Sequence, residues 1–218
     1  VHPKSCTYFS GFSMILADGP DDKRPSLTSV SQRQAARHAG VSHGSVANWL
    51  RAYADSLPAT LPTPKTPVKV AEQDELFTFL GEKNDAYVMT IVDRETRCFL
   101  AIEAVVERSQ ETAQQMVNQA PAQQNSDQYP LYDSLSYRRG CHLSLDDKSE
   151  TYSVEGGHAD LRHYLTRLVR KSRCFSRCLV WLNRHLKAFA HAWNRRQLHN
   201  RARPFDKKQV IDFVCLSD

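Results

Sequence analysis

The sequence has no C-x-x-C pair, no apolar run approaching membrane-spanning length and, from Arg162 to Arg203, no Asp or Glu. Each absence excludes something. The six cysteines (Cys6, Cys98, Cys141, Cys174, Cys178 and Cys215) stand singly or one helical turn apart. A chain this long does not need a disulfide framework, so a reducing cytosol is expected. Cys174 and Cys178 have no second pair with which to complete a zinc site and read as packing residues. Without a long apolar run there is no transmembrane helix to assign, and no signal peptide is recognisable. Val1 is not a start methionine, which suits a fragment, a processed product or part of a fused reading frame. The acid-free stretch carries only Arg, Lys and His among its ionisable groups. Net charge is only +5 with a pI of about 8.9, but the cations crowd into the C-terminal third. Such a local field favours nucleic acid over an acidic small molecule or a membrane.

What is present is ordinary globular material. Apolar residues make up 41% and charged residues 24% of the 218, enough for one sizeable domain and a small one. No internal repeat is visible. Residues 1–28 lack periodicity, and His2 and Cys6 have no matching second half of a metal site. Residues 29–56 have the pattern of a helix-turn-helix. Ala35 and Ala36 are small where two helices cross, Gly40 sits at the turn, and Ser42 is a natural N-cap. Val41, Val46 and Trp49 supply apolar contacts. His43, Ser45, Asn48 and Arg51 face outward and are of the types that reach base edges and phosphates. Residues 57–67 hold four prolines and read as a stiff interdomain linker.

Three strands are predicted next: Val68–Phe79, Ala86–Val92 and Cys98–Val106, with a turn at residues 93–96. A helix over Ser109–Ala120 follows, with Ser109 as its cap. Residues 119–128 read as a Gln/Asn-rich loop, Tyr129–Tyr132 as a short fourth strand ending in Asp133, and Gly140–Leu145 as a fifth. A helix then opens near Glu155, with Leu161, Leu165 and Leu168 as its buried stripe. A long helix begins at Leu179, with Leu182, Leu186, Phe189 and Trp193 along one face. Residues 201–218 form a tail.

This order, three strands, helix, strand, helix, resembles the ribonuclease H-like fold: an α/β architecture in which a mixed sheet is flanked by helices. There, an acid on the first strand lies beside an acid ending the fourth, and a third comes from a later helix. The candidates are Asp74, Asp133 and Glu155. Three carboxylates can hold two divalent cations, which lie roughly 3.5–4 Å apart in such sites and assist phosphodiester chemistry. Asp74 would bridge both ions, and Asp133 and Glu155 would each complete one. Glu75 points to the other face of its strand. Arg162, two turns after Glu155, shares its helix face.

Three blocks resemble the DDE transposases of the insertion sequence 1 family: DELFTFLGEKND…VDRETRCFLAIEAV from Asp74, YDSLSY from Tyr132, and TYSVEGGHADLRHYLTRLVRKSRCFSR from Thr151. The resemblance runs from about Val70 to Asn200. It implies a catalytic domain over residues 68–200, with Asp74, Asp133 and Glu155 as a catalytic triad holding two Mg²⁺ or Mn²⁺ ions. It implies a DNA-contacting role for Arg162. His158 stands where Asn is expected. His158, Arg167, Arg170, Lys171, Arg173 and Arg177 extend the expected DNA-facing surface. The family's N-terminal zinc ribbon is absent or reduced to His2 and Cys6. The implied activity is nicking at terminal inverted repeats and joining of the freed 3′-hydroxyl to target DNA. The expected partners are double-stranded DNA and at least a second copy of the chain, with a cytoplasmic, nucleoid-associated location. A decayed or domesticated DNA-binding descendant and a ribonuclease H-like nuclease are the alternatives.

Overall fold

The computed structural model describes residues 32–81, 84–137, 142–145, 150–169 and 176–214. The His2, Cys6, Arg170, Lys171 and Arg173 expectations lie outside them. Two helices come first, α1 (Gln32–His38) and α2 (His43–Ser56). Gly40 takes a φ of 62° in the turn between them, where a side chain would be strained. Ser42 caps α2 by accepting from the Ser45 amide at 3.0 Å. Ala35, Ala36 and Val46 are buried where the helices cross. His43, Asn48 and Arg51 are exposed, and Ser45 is half-buried.

The sheet contains β1 (Val70–Leu80), β2 (Asn84–Asp93), β3 (Phe99–Val105), β4 (Gln123–Asp127) and β5 (His142–Leu145) in the order β3-β2-β1-β4-β5. The first three strands form an antiparallel meander, and β4 and β5 run parallel to β1. The interleaved helices are α3 (Gln110–Gln119), the single turn α4 (Pro130–Asp133), α5 (Tyr152–Tyr164) and α6 (Leu179–Ala202). Short 3-10 turns follow α5 at Thr166–Leu168 and α6 at Val210–Phe213. This mixed α/β arrangement is consistent with the ribonuclease H-like expectation, including the adjacency of the first and fourth strands.

The alternation of side chains along a strand divides β1 between two layers. Leu76 joins Val88, Val92 and Phe99 under Val154 and Leu161 of α5 and Leu182, Leu186, Phe189 and Trp193 of α6. Ala71 faces the other way, with Met89 and Ile91, toward Met116 and Val117 of α3 and Tyr132 of α4. Each fully buried large apolar side chain contributes roughly 1.5–3 kcal/mol. Residues 57–62 run along α6. Lys187 Nζ donates to Leu57 O at 2.7 Å and Asn194 Nδ2 to Pro62 O at 2.8 Å, while Arg184 forks onto Asp55 through two 3.0 Å bonds.

One expected element is corrected. Tyr129–Tyr132 is not a strand; the fourth strand is Gln123–Asp127, inside the expected Gln/Asn-rich loop. Its polar sequence carries no apolar alternation, because β4 is an interior strand whose Gln124, Asn125 and Ser126 are buried by pairing on both sides. Pro130 then starts a helical turn, as proline at a first helical position favours. Among the described residues no helix is long and apolar enough to cross a membrane.

Candidate active site

The site is built on the face of β1 that α5 covers. Glu72, Asp74 and Leu76 alternate onto that face, while Gln73 and Glu75 turn away. In the parallel β1–β4 ladder Glu72 pairs with Asn125. The ladder ends at that pair; the same register continued two residues further would bring Asp74 level with Asp127, which ends β4. Neighbours at one level of a parallel pair project to the same side, so that register would turn these two carboxylates to one face.

Helix α5 brings the third acid. Its start is held by a buried carboxylate from the sheet rather than by its own cap, since Thr151 makes no side-chain capping bond. Glu72, fully buried, accepts from the amides of Ser153 at 2.6 Å and Val154 at 3.0 Å. A carboxylate there meets the positive end of the helix dipole. Arg94 balances its charge, donating from Nε to Glu72 at 2.6 Å and from Nη1 and Nη2 to the Glu150 side chain and carbonyl at 2.5 and 2.6 Å.

The helix phase then places Glu155. A side chain at Gly157 would meet Phe99 of β3 and Val92 of β2 at 3.4–3.6 Å. His158, about 100° further round, reaches Thr90 of β2 and Asp74 of β1. Turning the same way, Glu155 and Arg162 fall on the flank above β1 and β4. Glu155 is half-buried in the first turn of α5.

His158 departs from expectation. It is only 5% exposed, so it is not a DNA-facing residue. Its burial follows from its place on the stripe of α5 that packs on the sheet. Thr90 Oγ1 donates its single proton to Asp74 O at 3.1 Å, so His158 Nε2 is the donor in its 2.7 Å bond to that hydroxyl. Nδ1 is left facing Asp74 Oδ2 at 3.6 Å. That approach is attractive when Nδ1 carries a proton or a cation lies between the two.

Asp133 is not brought to Asp74. It ends α4 with an exposed carboxylate 3.8 Å from His142 Nδ1, and the Nε2 of that ring bonds Ser126 Oγ at 2.7 Å. Ser126 precedes Asp127 on the strand and so points to the opposite face of the sheet. The register reason is the strand shift: the acid ending the true fourth strand is Asp127. Glu75, on that opposite face, is pushed up to about 7, chiefly by burial, with the Tyr132 hydroxyl bonded to it and Asp74 and Asp127 nearby. Of the expected basic surface, Arg162 and Arg167 are half-buried and Arg177 is exposed, Arg167 donating to Ser176 Oγ at 2.9 Å.

The IS1 transposase model matches residues 68–198, well over half of the chain. The chain belongs to the IS1 transposase family. No curated protein matches it. One chain of the simian T-cell lymphotropic virus intasome, solved by cryoEM in complex with PP2A regulatory subunit B56 gamma, is similar at 14% identity with a TM-score of 0.38; the likeness covers 62% of this chain and 55% of that one. The match to the IS1 transposase family runs from just before β1 into α6, so it includes every strand and α5. Within it, Asp127 and Glu72 stand out in the structure and not among the residues expected from sequence. Asp127 had a legible signal, since a Ser-Asp before an aromatic and a proline marks a strand end and turn. Glu72 had none, because its role comes from a helix 81 residues away.

Carboxylate oxygens are the donors that suit a hard divalent cation, and Asp74, Asp127 and Glu155 are the candidates. Among the described residues no three His, Cys, Asp or Glu side chains are grouped closely enough to hold an ion.

Proposed function

We infer that this chain is a DNA transposase that nicks at terminal inverted repeats and joins the freed 3′-hydroxyl to target DNA. The observation that carries the reading is the match to the IS1 transposase family over residues 68–198; the β1–β4 register, continued past Glu72 and Asn125 toward Asp74 and Asp127, supports the choice of acids. These three acids are the proposed holders of divalent Mg²⁺ or Mn²⁺. Bound there, the ions would lower the charge barrier at a phosphodiester and stabilise the leaving oxygen. The chain's own part is positional. β1 and β4 would present the two aspartates, Glu72 anchors the start of α5 on the sheet, Thr90 bonds the Asp74 carbonyl and His158 faces the Asp74 carboxylate. Arg162 lies on the same flank as Glu155 and is proposed to hold a strand phosphate. The exposed residues His43, Asn48 and Arg51 of α2 are proposed to read the repeat, and two copies to pair the two ends.

A labelled inverted-repeat oligonucleotide with Mg²⁺ or Mn²⁺ tests this. Nicked and joined products, lost in Asp74→Asn, are expected. One rival is a decayed transposase that binds DNA without chemistry. Binding with no product, unchanged by Asp74→Asn, would establish that rival; cleavage without joining would indicate a nuclease.

A further inference from the structure

On the opposite flank of α5 from Glu155 lies a groove of about 340 Å³, walled by α5, α6 and the β2–β3 turn. Two guanidiniums line it. Arg97 stacks over the Tyr152 ring at 4.9 Å, and Arg196 over Trp193 at 5.1 Å. Such stacking pre-organises an arginine without consuming its donors. Neither forms an ion pair with a described carboxylate, and Arg196 Nε is buried with no hydrogen-bond partner among the described residues. Arg97 adopts a φ of 62°, a conformation that costs a non-glycine residue about 1–2 kcal/mol. Glycine would relieve that strain but would leave the groove without its cation. Gly156 is the counterpart. A glycine inside a helix costs about 1 kcal/mol, and the one atom near its missing side chain is Arg97 Nη1, 3.8 Å away. A larger residue there would fill the groove and push the guanidinium aside.

We propose that this groove is a second DNA contact, in which Arg97 and Arg196 together grip one phosphodiester of the bound strand. Paired guanidinium forks match a phosphodiester's two free oxygens. The α6 wall lies in the acid-free stretch, so its field attracts a polyanion. Among the described residues lining the groove, half-buried Asp160 is the one acid; Arg97 from the turn, Arg196 from α6 and His163 from α5 act on it, leaving a net positive site. The contact would lie about one helix diameter, roughly 10 Å, from the Glu155 flank, so one strand wrapping the N-terminal half of α5 could reach both.

The inference rests on the DNA reading above, and the experiment separates the two. The affinity of the full chain for a fluorescent 30-base-pair duplex is measured by anisotropy across a KCl series. Variants are Arg97→Gln with Arg196→Gln, and Gly156→Leu, which blocks the groove without altering charge; thermal melting checks their folding. Each phosphate contact adds about 0.9 to the slope of log affinity against log salt. Several-fold weaker binding with a slope lower by about one is expected in both the double variant and Gly156→Leu. Two folded variants with wild-type affinity and slope would overturn the groove, even if the wild type nicks DNA. Weakening in the arginine variant alone would also overturn it, indicating a diffuse field. So would inorganic phosphate raising the wild type's melting temperature, but not the variants', while duplex binding stays equal: the groove would then hold a small anion. Groove-dependent binding with no nicking would sink the strand-transfer reading and leave the groove standing.

Discussion

At the scale of single residues, the two aspartates between the third and fifth strands separate two readings of the site. Asp127 ends the strand that pairs with the start of β1, two residues past the Glu72–Asn125 pair, whereas Asp133 sits by His142 on the other side of the sheet. Asp127→Asn is expected to lower nicking on the order of 10³-fold or more, as loss of a core reacting group does, with Asp133→Asn staying within a few-fold of wild type. Parallel oligonucleotide assays decide it, and the reverse ranking would restore Asp133. Glu75 makes a separate prediction about pH. Its carboxyl is raised to about 7 by burial, from an ordinary 4.5. The folded state therefore holds a proton that the unfolded chain releases, so stability falls as pH rises between those values and is level above. Glu75→Gln should abolish that slope and stabilise the protein by up to roughly 3 kcal/mol at pH 8, at about 1.4 kcal/mol per unit. Urea titrations at pH 4.5 and 8 measure it; an unchanged slope would assign the pH dependence elsewhere.

Among elements, α5 is the piece whose placement matters most, and its anchorage is not its own. Glu72 Oε2 accepts from the two amides that Thr151 leaves uncapped, and Arg94 ties that carboxylate to Glu150. Removing one member of a buried charged pair typically costs 3–5 kcal/mol, because the other is left buried and uncompensated. Glu72→Ala is expected to lose about that much in denaturant unfolding, and Glu72→Gln distinctly less, since an amide oxygen still accepts from Ser153 and Val154. Equal losses would mean that the charge, not the capping geometry, holds the helix. The strand β4 carries the opposite lesson. Its QQNSD sequence has no β-branched or aromatic residue, so propensity argues against it. It is a strand because β1 and β5 flank it and pair its backbone.

Across the whole molecule, α6 joins the parts. Asn194, fully buried, accepts from Phe99 N at 2.8 Å and donates to Pro62 O and Phe99 O at 2.8 and 2.7 Å. It fastens the proline-rich stretch and the start of β3 to one helix. Asn194→Leu leaves those backbone groups unpaired, at about 1–3 kcal/mol for each buried one. It should lower the melting temperature and hasten proteolytic cleavage within residues 57–67. A lower melting temperature with unchanged cleavage there would show that the remaining contacts, Lys187 to Leu57 and His191 to Pro58, suffice to hold the stretch.

Local chemistry in the chain already contained the helical pair, the three-stranded meander, the Ser109 and Ser42 caps and the buried stripe of α6. Each depends on near neighbours in sequence: apolar period, a capping hydroxyl, a glycine where φ is positive. It also contained Asp74, on a strand whose pattern was plain, and Glu155, at a helix start. The identity of the fourth strand, and with it the proposal of Asp127 in place of Asp133, the burial of His158 and the capping of α5 by Glu72 came only from tertiary structure. Register between strands and the phase of a helix on a sheet are set by residues far apart along the chain, and no local period encodes them.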